Sequence, residues 1–287
     1  MTIKKENLMK KIIVATDFSD YAEFAIKAAA SIAKKAKAKL ILLHIINRPL
    51  NSDDDSYENY HNRPGGKTIV SNIQNKLEEI INRHNINDAE VIYELRYDVF
   101  KTILKHANKQ DVDLIVMGAY GSSGSQGALL GSNTERVLQQ AIMPVLVVKE
   151  EFEYFRIENM VFASEFHSPV FEVYPKMKKI IDLFQTNIHL LKVNTPNNFQ
   201  KTLDSLKLME KFKNEFCLKN CTTNIYNDLS VEDGILNFSK LINADIIAIT
   251  PNGYWRLAHI FNKNITNELM KKSIKIILSI KSENEYN

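Results

Sequence analysis

The sequence is poor in cysteine, in long apolar runs and in net charge, and each shortage removes a class of protein. Two cysteines, Cys217 and Cys221, in 287 residues cannot staple a chain of this size. A disulfide-built scaffold is therefore excluded, and a reducing, cytoplasmic setting is the expectation. No run of about 18 apolar residues occurs, so no spanning helix is expected. Met1–Met9 is polar and basic with no apolar core behind it, unlike a secretory signal. Lys plus Arg number 37 against 34 Asp plus Glu, a net charge of +3. That surplus is too small and too evenly spread for a binder of nucleic acid or another polyanion. The rest is ordinary globular composition, 45% apolar and 25% charged, at a length that suggests two domains or one large one.

Short apolar, β-rich runs at Lys11–Thr16, Leu40–Ile46, Glu90–Leu95, Leu114–Met117 and Val145–Val148 read as strands buried on both faces. Helical stretches separate them at Asp20–Lys35, Thr68–His84, Val99–Lys109 and Asn133–Ala141. In the first, Ala25, Ala28, Ala29, Ile32 and Ala33 recur at helical spacing and mark a buried face. Asp20, with Glu23 three residues later, supports a helix start there. Strands alternating with helices predict a parallel, doubly wound sheet.

The second half repeats the pattern at Met160–Ala163, Ile188–Val193, Thr222–Tyr226, Ile246–Ile249 and Ile276–Ile280. Val14–Phe18 overlays Phe162–Phe166 at an offset of 148, and Asp113–Met117 overlays Asp245–Ile249 at 132. The difference is absorbed by a longer connection in the first half, Asn47–Gly66, which carries Pro49, Asp53, Asp54, Asp55 and Pro64. The reading is an internal duplication, residues 1–150 and 151–287, with one insert. The acidic triplet lacks the glycine and glutamate that an EF-hand loop needs, so no metal site is expected there.

The most informative stretch follows the fourth strand. Gly118, Gly121, Gly131 and Ser132 stand in the spacing G-x2-G-x9-G-S, with Gly124 and Gly127 between. It is not a Walker loop, a G-x-G-x-x-G fingerprint or a G-x-S-x-G elbow. Its glycines would permit positive φ and turn bare backbone N–H groups toward phosphate oxygens. Gly118 would leave room for a ligand lying across the sheet. Gly131-Ser132 would open a helix whose N-terminus favours an anion. Ligands in such sheets sit at the carboxyl ends of the strands flanking the switch point, where Asp17, Ile45 and Gly118 fall.

With this loop, Ile13–Ser19 and Leu42–Ile46 in the same order, the sequence resembles the universal stress protein family, in its tandem form and ATP-binding branch. The resemblance implies two flavodoxin-like (adenine nucleotide alpha hydrolase-like) α/β domains of strand order 3-2-1-4-5, with their last strands paired antiparallel. It implies that Ala15 and Ile45 meet the adenine region and that Asp17 faces the ribose or a phosphate-bound Mg²⁺. The ATP would further be held by Met117, Gly118, Tyr120, Gly121, Ser122, Ser123, Gly124, Gly131, Ser132, Asn133 and Thr134. A helix cap is the alternative role for Asp17.

The second copy keeps the frame and loses the chemistry: Thr250 stands for Gly118, Lys263 for Gly131, Glu165 for Asp17 and, on this overlay, Lys192 for Ile45. Tyr254, Trp255 and Phe261 make its loop bulky. Seven histidines show no metal-ligand spacing, and His44 reads as a hydrogen-bonded core residue. Cys217 and Cys221, one helical turn apart, read as inert thiols on one face near a helix end. The lysines at 34, 35, 37 and 39 read as a solvated helix terminus. No catalytic residue is assigned. The expected function is an ATP-dependent stress sensor or regulatory module that meets a protein partner, an intramolecular pseudo-dimer that could dimerise further. A slow ATPase and an empty structural dimerisation module stay open as alternatives.

Overall fold

A computed structural model describes residues 9–47, 65–121, 130–250, 269, 272–273 and 275–281. The first half contains β1 (Lys11–Thr16), α1 (Asp20–Ala36), β2 (Lys39–Asn47), α2 (Gly66–Arg83), β3 (Ala89–Arg96), α3 (Val99–Gln110), β4 (Leu114–Gly118), α4 (Ser132–Gln140) and β5 (Val145–Val148). The second contains β6 (Asn159–Ala163), α5 (Pro169–Phe184), β7 (Asn187–Asn194), α6 (Thr202–Glu215), β8 (Cys221–Asn227), α7 (Val231–Leu241), β9 (Ile246–Ile249) and β10 (Ile276–Ser279). The expected elements fall on these within two residues at either end. Asn47 and Gly66 belong to β2 and α2, so the insert is shorter than the sequence suggested; residues 48–64 lie outside those described.

Local chemistry sets the element ends. Ser19, extended at φ −77° and ψ 163°, caps α1 by accepting from the Ala22 N–H at 3.3 Å. The expected start at Asp20 is thus right to the residue, with the capping oxygen one position earlier. Asp20 and Glu23 occupy the first turn and Lys34 and Lys35 the last, as the helix dipole favours. Ala25, Ala28, Ala29 and Ile32 are fully buried, as their spacing predicted.

The ten strands form one sheet of order β3-β2-β1-β4-β5-β10-β9-β6-β7-β8. Each half has the order 3-2-1-4-5, parallel throughout, and the halves join where β10 runs antiparallel to β5, with Leu278 opposite Leu146. The β5 and β10 edges that the halves would otherwise expose are thereby paired, leaving β3 and β8 at the margins of the sheet. Alternate residues face opposite sides: Ile12 and Val14 pack under α1, Ile13 under α3 and α4. Both core layers run on into the second half through residues such as Met160 and Val161. No helix among the described residues is long and apolar enough to cross a membrane.

The backbone records the duplication independently of side chains. Among the described residues, eight that are not glycine adopt positive φ, and they fall into four pairs. Phe18 with Phe166 and Lys37 with Gln185 lie 148 residues apart; Asn85 with Cys217 and Asp111 with Asn243 lie 132 apart. These are the offsets read from the sequence. Since such residues seldom adopt this conformation, its repetition at matched turns marks a shared backbone path. Side chains repeat too. Asp113 Oδ2 accepts from the N–H groups of Lys10 and Lys11 at 2.6 and 3.0 Å, and Asp245 Oδ2 from those of Glu158 and Asn159 at 2.8 and 2.9 Å.

Two smaller expectations change. Cys217 lies beyond the end of α6 at φ 50° and Cys221 opens β8, so they do not share a helix face. Burial pushes the Cys221 thiol up to about 11, consistent with an unreactive sulfur. Lys39 belongs to β2 rather than a helix end and pairs with Glu90 at 2.5 Å.

Candidate functional site

In the first half β1 and β4 lie side by side, and the chain leaves them toward helices on opposite faces. A cleft of about 360 Å³ opens at their carboxyl ends, where a doubly wound sheet places ligands. Eleven of the residues singled out in the sequence line it: Ala15, Asp17, Ile45, Met117, Gly118, Tyr120, Gly121, Gly131, Ser132, Asn133 and Thr134. Ser122, Ser123 and Gly124 lie outside the described residues, as does Gly127.

The cleft has two chemically different ends. Leu43, Ile45, Val99, Ile103 and Met117 supply an apolar wall. Opposite, α4 begins at Ser132 with Gly131 as its N-cap, at φ −56° and ψ 132° and without a side-chain cap. The first helical N–H groups have no intrahelical partner, and glycine offers no oxygen to take them. Thr134 is buried, and its hydroxyl donates to the Gly118 carbonyl at 2.9 Å. That bond ties the helix start to the end of β4, so the Thr134 hydroxyl serves the frame rather than acting as a ligand donor. The Gly131 N–H is likewise bonded, to the Ala119 carbonyl at 2.9 Å.

The glycines differ in what they accommodate. A Cβ at Gly118 would lie 2.7 Å from the backbone carbonyl of Tyr21, so this cleft-lining glycine also makes room for the first turn of α1. Gly121 lacks the positive φ expected of it. It is small because a Cβ there would meet Asp17 Oδ2 at 2.7 Å. At Gly131 the space would admit a Cβ, with 3.4 Å to the Ala119 oxygen.

Asp17 therefore sits against the loop. Its Oδ1 accepts from the Ser19 N–H at 3.1 Å and the Ser19 hydroxyl at 2.6 Å. One oxygen steadies the capping serine while the other lies against Gly121. It is the only carboxylate lining the cleft among the described residues, which hold no cluster of His, Cys, Asp and Glu able to bind a metal. Beside it, His44 Nδ1 lies 2.9 Å from the Thr16 carbonyl and its ring 4.4 Å from that of Phe18. Burial pulls this imidazole below its usual value, against the opposing pull of the Thr16 carbonyl.

Sequence reasoning missed Thr16, Ala22, Leu43, Val99, Ile103 and Leu130 in this lining. Val99 and Ile103, one turn apart at the start of α3, carried a signal in their spacing. The others needed the register of the sheet.

Register also corrects the overlay of the halves. Ala15 pairs with Leu43 and Thr16 with His44, while Ala163 pairs with Leu191. Lys192 therefore corresponds to His44, and Val193, not Lys192, to Ile45. In the second half Lys192 forms a buried ion pair with Glu165, which also accepts from Asn198 Nδ2 at 2.9 Å. Val193 presses on α7 where a Cβ on Gly234 would meet its Cγ1 at 2.5 Å. Thr250, in the place of Gly118, is buried with no partner for its hydroxyl among the described residues. Lys263, Tyr254, Trp255 and Phe261 lie outside the described residues.

Fold and cleft together define a tandem, doubly wound α/β protein whose first half holds a pocket at the topological switch point, apolar at one end and a helix N-terminus at the other. The model of the universal stress protein family matches residues 9–149. Universal stress protein MJ0577 of Methanocaldococcus jannaschii is 32% identical over 157 residues, 50% of this chain and 97% of that protein. YxiE of Bacillus subtilis, another universal stress protein, is 31% identical over 155 residues, 50% of this chain and all of that protein. The crystal structure of a universal stress protein from Archaeoglobus fulgidus superposes with a TM-score of 0.70, covering 96% of this chain and 97% of that one. At 20% identity, that likeness speaks to the fold. The chain belongs to the universal stress protein family.

Proposed function

We propose that this protein binds ATP in its first domain, residues 1–150, and that its second, residues 151–287, has lost that capacity. The observation that carries the proposal is the cleft itself, which sets an apolar wall against the N-terminus of α4, whose glycine N-cap offers no side chain to its N–H groups. Its volume of about 360 Å³ lies in the range of small-molecule sites. Adenine fits the wall of Ile45, Val99 and Ile103, and the phosphates fit the N–H groups from Ser132 onward. Hydrogen bonds to charged groups contribute about 1.5–3 kcal/mol each. A few of them with adenine burial reach micromolar affinity, about 8 kcal/mol, without a lysine in the loop. A Mg²⁺ ion arriving with the nucleotide would meet Asp17.

The function is binding rather than turnover. Asp17 is already engaged by Ser19, and neither Arg nor Lys lines the cleft among the described residues to stabilise a transferred phosphoryl group. The protein is thus proposed to act in the cytoplasm as a stress-response module whose nucleotide-bound and nucleotide-free forms meet a protein partner differently. The test is to denature the purified protein, chromatograph the released small molecules and titrate the stripped protein with ATP. Adenine nucleotide in the supernatant or micromolar affinity on titration is expected; neither result appearing refutes the reading.

A further inference from the structure

We propose that the second half sets the nucleotide affinity of the first through Lys281, a positioning residue for the phosphate-facing helix. This rests on the reading that the first cleft binds nucleotide. Lys281 follows β10, and its ammonium donates to the carbonyl of Gln139 in the last turn of α4. α4 is nine residues long, and its last turn carries no basic side chain of its own. Isolated helices of that length do not hold together in water, so the N–H groups at its start are only as well placed as its anchors. One anchor is Thr134, bonded to Gly118. Val137 and Leu138 seat the helix in the core, and from the second half Lys281 brings to the carbonyl end the positive charge that the helix dipole favours and that the last turn of α4 lacks.

The contact crosses the seam in the reverse direction as well. Lys149, which follows β5, stands 132 residues before Lys281 and donates to the Ser273 carbonyl at 3.0 Å. Its ammonium also lies 5.6 Å from the ring centroid of Tyr120, in the wall of the cleft. Each half thus lends a lysine to a backbone carbonyl of the other across the β5–β10 pair. In the first half that exchange reaches the candidate site. A second domain without a working cleft keeps a role in such an arrangement: it holds the helix that the first cleft uses.

The test compares Lys281→Met with Lys281→Arg in the full chain. In the unliganded protein, amide exchange at residues 137–141 accelerates in Lys281→Met and stays near wild type in Lys281→Arg. Unchanged exchange in Lys281→Met overturns the brace whether or not nucleotide binds. Where the wild type binds ATP, Lys281→Met weakens it about two- to fivefold, the size of a cation at a helix terminus, and Lys281→Arg restores it. Equal affinity in all three proteins overturns the coupling while leaving nucleotide binding intact; no binding by wild type refutes the proposed function instead. By reciprocity of linkage, saturating ATP slows exchange at residues 276–281 in wild type and not in Lys281→Met. The absence of that difference also counts against the coupling.

Discussion

The two halves share a backbone and differ in what fills the carboxyl ends of their central strands. In the first, Asp17 and Ile45 border an open cleft, and Asp17 keeps one oxygen against Gly121. In the second, Glu165 is folded inward onto Lys192 and Asn198, and Val193 is pressed against α7 at Gly234. One added methylene, from aspartate to glutamate, and one cation in place of an imidazole draw this carboxylate into a buried ion pair. A duplicated fold can therefore keep its turns and register while the side chains at equivalent strand ends take different partners. Retention of the second copy follows from the shared sheet, whose seam supplies the last neighbour of each half.

The largest expected effect probes that buried pair. Lys192→Met leaves Glu165 buried without its cation, and urea denaturation should show a loss of about 3–5 kcal/mol. Replacing the pair together, Lys192→Met with Glu165→Leu, should recover most of it. In the first half Asp17→Ala should cost far less stability, because Asp17 is exposed. Equal losses at Asp17 and Lys192 would erase the distinction between an exposed and a buried carboxylate site.

Next in size is a contrast between two glycines of one loop. Gly118→Ala drives a Cβ into the backbone of Tyr21 and should cost about 1–3 kcal/mol of stability. Gly121→Ala displaces the Asp17 carboxylate instead. It should weaken ATP about tenfold, or about 1.4 kcal/mol, with stability changed by less than about 0.5 kcal/mol. Denaturation and titration of both variants check the pair, and the same outcome for both would contradict the different duties assigned to them.

The smallest effect is a dependence on pH that both halves share. Burial holds His44 and His189 below the ordinary histidine value. The native state thus releases these protons more readily than the unfolded chain does. Their contribution is full above the unfolded value of about 6.5 and is lost as pH falls through the lower folded values. Melting temperature should drop between about pH 7.5 and about pH 5.5, with the slope reduced by His44→Gln in the first half and His189→Gln in the second. A slope unaffected by either change would place the titration elsewhere.

Strand order, duplication and the glycine spacing were legible because each leaves a pattern along the chain: buried strands as apolar runs, repeats as offsets, the helix start as Gly-Ser. What was not legible depended on a second chain segment. The reason Gly118 is glycine lies in Tyr21, and the reason Gly121 is glycine lies in Asp17. The overlay of Ile45 with Lys192 slipped by one residue, and in a strand one residue decides which face a side chain occupies. The 148-residue offset of the first strand, carried on to Ile45, gives Val193, and pairing with β1 and β6 bears that out. Val99 and Ile103 escaped notice because apolar residues at helical spacing read as core, and whether core lines a cleft is a property of the packed sheet.

The central claim is that one half of a matched pair holds nucleotide. Photolabelling the full chain with 8-azido-ATP, followed by peptide mapping with and without excess ATP, tests it directly. The account predicts label confined to peptides from residues 9–149 and removed by ATP. Competed label in peptides from 159–280 would contradict it.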